Sequence, residues 1–224
     1  MSDSRPAALF LDLDGTLVDT APDLAAALNR VRQEQGLAPV TEAEVRPVVS
    51  HGGGAVVTAG LGVAPEEPGH AELLARLLDH YQRDIARHSR LFPGLAEVLA
   101  EWEATGRPWG VVTNKPARFT EPLLEALGLA GRVAAVVSGD TLPRAKPHPD
   151  PLLHACTTAG CAPAAAIYVG DAERDIAAGL AAGLRTAVAG WGYLDPADRP
   201  GDWGAEVHLT TPADLGRWLA GSAA

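Results

Sequence analysis

The sequence has no run of Lys or Arg, and its formal net charge is −10. A nucleic acid or an anionic membrane surface is therefore not an expected partner, since either demands a concentrated basic face. No apolar stretch approaches the roughly 20 residues that span a bilayer. The opening Met-Ser-Asp-Ser-Arg-Pro has no basic segment leading into an apolar one, so no secretory signal is read there. Cysteine is scarce: Cys156 and Cys161 lie five apart without a CxxC spacing. That excludes a disulfide framework. A zinc site built from the pair and His154 would lack a second ligand cluster. Nothing asks for an oxidising compartment, and the expectation is a cytoplasmic protein.

Two further scarcities are informative. Of 18 cationic residues only Lys115 and Lys146 are lysine, and the only asparagines are Asn29 and Asn114. A chain that otherwise uses Arg keeps a compact point charge, suited to a phosphate oxygen, in two places.

What is present fits a globular enzyme. The 224 residues are 47% hydrophobic and 21% charged, enough for one large domain or a domain with an insert. Short apolar runs at Ala7–Leu13, Trp109–Thr113, Val133–Val137, Ala166–Val169 and Thr186–Val188 are too short for helices and are bounded by Gly, Asp or Asn. Between the later ones, Arg118–Leu129, Pro149–Ala159 and Ala172–Ala182 read as helices. This alternation predicts an α/β fold with a doubly wound parallel sheet. Between the first two strands the pattern is helical instead, at Pro22–Gly36, Thr41–Val49 and Glu66–His88. In the last of these, Leu74, Leu77, Leu78, Tyr81 and Ile85 share one face. The expectation is an all-helical cap domain at 19–91 inserted into a core of 1–18 and 92–224, with hinges at Leu17–Ala21 and Ser89–Gly94.

In an open parallel sheet, ligands bind outside the carboxyl ends of the strands. The strand ends here carry Asp12-Leu-Asp14-Gly-Thr16, Thr113-Asn114-Lys115, and Gly170-Asp171 with Asp175, and the loop after the third carries Lys146-Pro-His-Pro. Residues two apart on a strand point the same way, so Asp12 and Asp14 emerge together. Two adjacent carboxylates resist joint ionisation unless a cation intervenes or one keeps a proton. With Asp171 they offer the oxygen ligands of a magnesium (Mg2+) site. Asp12 is then placed to attack phosphorus, and Asp14 to protonate the departing oxygen and later activate water. Lys146 is the expected clamp on phosphate and nucleophile. Lys115, followed by Pro116, reads equally as an exposed loop charge.

Together these segments resemble the haloacid dehalogenase-like phosphatases, in particular the branch with a helical cap inserted after the first motif. The resemblance covers nearly the whole chain. It implies a Rossmann-like core, Mg2+ and an aspartyl-phosphate intermediate on a small phosphorylated metabolite. Matched by motif, Asp12 is the nucleophile, Asp14 the acid/base, Thr113 and Asn114 phosphate-binding and Lys146 stabilising. Asp171 would ligate the metal, with Asp175 ligating or orienting it. The Thr-Asn-Lys-Pro and Lys-Pro-His-Pro-Asp-Pro segments resemble phosphoglycolate phosphatases, which makes 2-phosphoglycolate the first expectation. The stretches Pro108–Pro116, Gly192–Pro196 and Trp203–Ala205 resemble a sister group with members acting on N-acetylmuramic acid 6-phosphate. The core handles only the phosphoryl group, so the cap decides between them. In the cap, His51 and Gly52 of the Ser50–Gly54 turn are placed to contact substrate; otherwise the triple Gly is a helix-breaking turn and His51 a solvated neighbour.

Three rivals share parts of this pattern. A receiver domain lacks the second Asp and has no need of a large insert. A dehalogenase needs no magnesium and has little use for an acid at Asp14. A sugar-phosphate mutase differs only in returning the phosphoryl group to a second hydroxyl. The oligomeric state is not legible.

Overall fold

The computed structural model describes residues 5–221. In chain order its regular elements are β1 (Ala8–Leu11), β2 (Val18–Asp19), α1 (Ala21–Glu34), α2 (Glu42–Val45), α3 (Gly53–Leu61), α4 (His70–Arg83), β3 (Arg90–Leu91) and α5 (Leu95–Ala104). There follow β4 (Trp109–Val112), α6 (Ala117–Ala126), β5 (Ala135–Val137), α7 (Asp150–Ala159), β6 (Ala166–Gly170), α8 (Glu173–Ala181), β7 (Arg185–Ala189), β8 (Val207–Leu209) and α9 (Pro212–Gly221).

Six strands form one parallel sheet in the order β5-β4-β1-β6-β7-β8. From β1 the chain builds outward through β4 to β5, then crosses to β6 and builds the other way through β7 to β8. Every residue of β1, β4 and β6 is buried, because helices cover both faces; this is why their sequences are apolar without alternation. Successive residues still face opposite sides. Leu9 and Leu11 join the larger core cluster, while Ala8 and Phe10 join the other with Val112, Leu152 and Tyr168. The expected doubly wound sheet is thus present, with one more strand than expected. The sixth, β8, is an edge strand of three residues with His208 exposed, too short to register as an apolar run.

Between β1 and β4 the chain is helical apart from a two-stranded antiparallel ribbon, in which Val18 pairs with Leu91 and Asp19 with Arg90. The ribbon falls within the two segments read as hinges. Buried Asp23 ties its ends together, accepting from the main-chain amides of His88 (2.9 Å) and Ser89 (2.8 Å) and from the Ser89 hydroxyl (2.7 Å). α4 packs against α1 and α3 through the face carrying Leu74, Leu77, Leu78 and Tyr81.

Two expectations for this block are corrected. The helix read over Thr41–Val49 is α2 followed by a 3-10 turn over Arg46–His51, interrupted where Pro47 removes a donor. The triple Gly is not simply a helix-breaking turn either. Only Gly52, at φ +88°, breaks the chain; Gly53 and Gly54 open α3. A side chain at Gly53 would press on Leu74 at 3.0 Å, so the small residue lets α3 sit close against α4. α5 and α9 were not read as helices from the sequence.

Candidate active site

The carboxyl ends of β1, β4 and β6 meet on one rim. The loop that follows β1 turns back at Gly15, which has φ +82°. A Cβ there would run into the Asp171 carboxylate, so glycine is needed for the first and fourth motifs to approach. Asp171 follows β6 directly, and Asp175 lies in the first turn of α8.

Asp12, Asp171 and Asp175 are buried, and one carboxylate oxygen from each lies within 4.8 Å of the others. Lys146 Nζ reaches two of them, 3.0 Å from Asp12 Oδ1 and 2.7 Å from Asp175 Oδ1. Its hydrogen bonds go elsewhere, to the Val112 carbonyl (2.9 Å) and the Tyr168 hydroxyl (2.6 Å). Asp12 Oδ1 and Asp175 Oδ1 are therefore paired with the lysine ammonium and have no other hydrogen-bond partner among the described residues. Three converging buried carboxylates, two of them with an oxygen that has only an ion-pair contact, are the donor set a hard divalent cation takes. The residues fit magnesium.

This grouping differs from the expected trio of Asp12, Asp14 and Asp171. The Asp14 carboxylate faces away from the cluster, accepting from Thr20 Oγ1 at 2.6 Å and from Lys115 Nζ at 3.0 and 3.2 Å. Lys115 is accordingly not an exposed loop charge: its side chain is 7% exposed and lies 4.6 Å from the centre of the Tyr81 ring. Burial works against its ammonium, but Asp14 and Tyr81 beside it together raise the pKa.

Asp12, Asp14, Thr113, Asn114, His51 and Gly52 all line a single cavity of about 420 Å³, together with Lys115, Tyr81 and Arg174. Lys146, Asp171 and Asp175 lie behind its wall. Asn114 uses its carboxamide structurally: Nδ2 donates to the Lys146 carbonyl at 2.9 Å and Oδ1 accepts from the Lys146 amide at 3.0 Å. That clamp fixes the loop presenting Lys146. Ser50 Oγ donates to Asp171 Oδ2 at 2.8 Å, and Arg174 donates to the Ser50 carbonyl. The helical block thus touches the carboxylate cluster through Ser50, a contact the sequence did not reveal, although Ser50 stood beside the residues singled out there. Tyr193 was also missed; its amide donates to Asp171 Oδ2 at 2.9 Å and its hydroxyl to Asp19 at 2.7 Å.

Burial, with Asp12 and Asp175 nearby, pushes the Asp171 carboxyl up to about 7 from an ordinary 3.8. Between those values the folded chain holds a proton that the unfolded chain has released, so metal-free stability falls as pH rises through this window. A divalent cation takes the proton's place. Thermal melts at about pH 5.5 and about pH 8 should show Mg2+ raising the melting temperature much more at the higher pH. Equal shifts at both would mean the cation binds away from Asp171.

The sequence matches the haloacid dehalogenase-like hydrolase family over residues 9–189. It is 45% identical over 211 residues to an N-acetylmuramic acid 6-phosphate phosphatase of Pseudomonas putida, covering 94% of this chain and 95% of that one. It is 41% identical over 213 residues to a phosphoglycolate phosphatase of Xanthomonas campestris, covering 94% and 95%. The fold superposes on the crystal structure of a predicted phosphoglycolate phosphatase from Haemophilus somnus with a TM-score of 0.82 at 27% identity, over 95% of this chain and 97% of that one. No helix among the described residues is long and apolar enough to cross a membrane. With the motif residues of the family gathered on one rim, and relatives this similar named as phosphatases, the chain belongs to the haloacid dehalogenase-like hydrolases and is a phosphatase of that family.

Proposed function

We propose that this phosphatase hydrolyses N-acetylmuramic acid 6-phosphate, in preference to the 2-phosphoglycolate first expected from the core motifs. The observation that carries this is the cavity. Beyond Asp12 its wall is built from Leu24, Val49, Leu74, Leu78 and Phe119. Glycolate has one methylene and no use for such a wall, whereas an amino sugar with N-acetyl and lactyl methyl groups does. A volume of about 420 Å³ also lies within the roughly 300–1,000 Å³ typical of organic-ligand pockets. Similarity to the Pseudomonas putida enzyme supports the same reading.

In the proposed mechanism an Asp12 oxygen forms a bond to phosphorus as the ester P–O bond breaks. Asp14, held at the cavity wall by Thr20 and Lys115, gives its proton to the departing sugar oxygen. Asp14 then takes a proton from water, which attacks the aspartyl-phosphate and releases phosphate. The Thr113 hydroxyl and the Asn114 main-chain amide, beside Asp12 in the cavity, hold the phosphoryl oxygens, and Lys146 balances the charge of Asp12 from behind. Asp12, Asp171 and Asp175 would hold Mg2+, which supplies neutralisation of phosphoryl charge when bound. The helices of residues 19–91 serve as the cap, moving on the β2–β3 ribbon, with His51 and Gly52 facing the leaving group.

The test is kcat/KM for both substrates side by side, in Mg2+ and in excess chelator. N-Acetylmuramic acid 6-phosphate should be favoured by at least about tenfold, the order of discrimination that apolar contacts supply. Activity should vanish in chelator and return with Mg2+. A preference for 2-phosphoglycolate would overturn the substrate assignment, and full activity in chelator the metal.

A further inference from the structure

We infer that Lys115 and Tyr81 form a carboxylate-binding subsite at the leaving-group end of the cavity, recognising an acid carried by the alcohol half of the substrate. This deepens the proposed function and rests on its placement of the leaving group under the helical block.

The hydroxyl of Tyr81 is the first observation. The residue is 1% exposed, lines the cavity, and its hydroxyl finds no acceptor among the described residues. A buried hydroxyl left without a partner is costly, and an unexplained one at a cavity wall points to an absent acceptor. Burial raises the phenol to about 12, so it stays a donor at neutral pH. Its ring is fixed by Phe119, centroids 5.6 Å apart, and by the Lys115 ammonium over its face.

Lys115 is the second. An ammonium has three N–H donors. Lys115 directs its described hydrogen bonds to the two oxygens of Asp14, which leaves donor capacity facing the same cavity. The other cation on the wall, Arg174, donates to the Ser50 carbonyl beside the carboxylate cluster, at the phosphoryl end. Gly53 and Gly54, which open α3, also line the cavity, and a helix N-terminus favours negative charge. The same cavity is also lined by apolar Leu74, Leu78 and Phe119. A carboxylate on the leaving group would be stranded anywhere else, whereas a hydroxyl in its place would gain little from the ammonium.

The experiment uses two matched pairs with the full chain in Mg2+. N-Acetylmuramic acid 6-phosphate is compared with N-acetylglucosamine 6-phosphate, which lacks the lactyl acid, and 2-phosphoglycolate with ethyl phosphate. Wild type should favour the acid-bearing member of a pair in kcat/KM. Tyr81→Phe should cut that preference by about tenfold, the worth of one hydrogen bond to a charged group, and Lys115→Met should cut it further. A merely structural role for Tyr81 would lower both members equally and leave the ratio fixed, which would overturn the inference. So would the absence of any preference in wild type, or a preference that survives Tyr81→Phe. If wild type favours 2-phosphoglycolate over the sugar ester yet prefers it to ethyl phosphate through Tyr81, the substrate assignment fails while the subsite stands.

Discussion

Asp12→Asn should take turnover of every phosphomonoester to the detection limit while leaving the metal-free protein at least as stable as wild type. The amide is nearly the shape of the carboxylate but a very poor nucleophile, so no aspartyl-phosphate can form. Stability should not suffer, because Asp12 is one of three clustered buried carboxylates, two of which share Lys146, and its charge is among the causes that drive Asp171 up to about 7. Removing it relieves repulsion and leaves Lys146 paired with Asp175. Two measurements check this. Rapid quench with labelled substrate should trap a phosphoryl group on Asp12 in wild type and none in the variant, and metal-free thermal melts should show no loss. Undiminished turnover would move the nucleophile elsewhere. A large drop in melting temperature would mean that Asp12 holds the fold together through its pairing with Lys146.

Lys146→Met should do the opposite to stability. The ammonium is 1% exposed as a side chain and stands beside Asp12 and Asp175. Without it three buried carboxylates retain, among the described residues, Arg174 as their neighbouring cation. Leaving a buried charge unpaired typically costs about 3–5 kcal/mol. For a chain of this size that corresponds to a fall in melting temperature of roughly 6–20 °C. The Val112 carbonyl and the Tyr168 hydroxyl stay satisfied by each other at 2.7 Å, so the loss is one of charge rather than of hydrogen bonding. Added Mg2+ should recover part of the loss, since it supplies cationic charge to the same oxygens. A shift under about 2 °C, within what a neutral surface change produces, would remove Lys146 from the charge balance.

The chemistry was legible because parallel sheets make it so. Strands buried on both faces read as short apolar runs, and a polar residue ending such a run sits on the ligand-binding rim. Asp12, Thr113 and Asp171 could be placed by that argument alone, and the lysine count singled out Lys146 and Lys115 from opposite ends of a long stretch of sequence. The shortest strands were harder. β8 has three residues and β2 and β3 two each, too few for periodicity to register. α3 begins with two glycines, whose weak helix propensity argues against a helix until packing on α4 is known.

By itself the sequence determined the fold class, the helical insert between strands one and two, and the residues that reach the rim. These follow from local patterns, since burial and backbone geometry act within a few residues. Only the tertiary structure decided how the rim residues partner. Asp175 joins Asp12 and Asp171 because the first turn of α8 folds back against Gly170 at the end of β6. Asp14 turns instead to Thr20 and to Lys115, which is 101 residues away in the chain. The Tyr81 hydroxyl is left without an acceptor among the described residues, at a cavity wall shared by both parts of the chain. Such pairings depend on distances across loops and helices, set by the packing of the whole domain, and no sequence period records them.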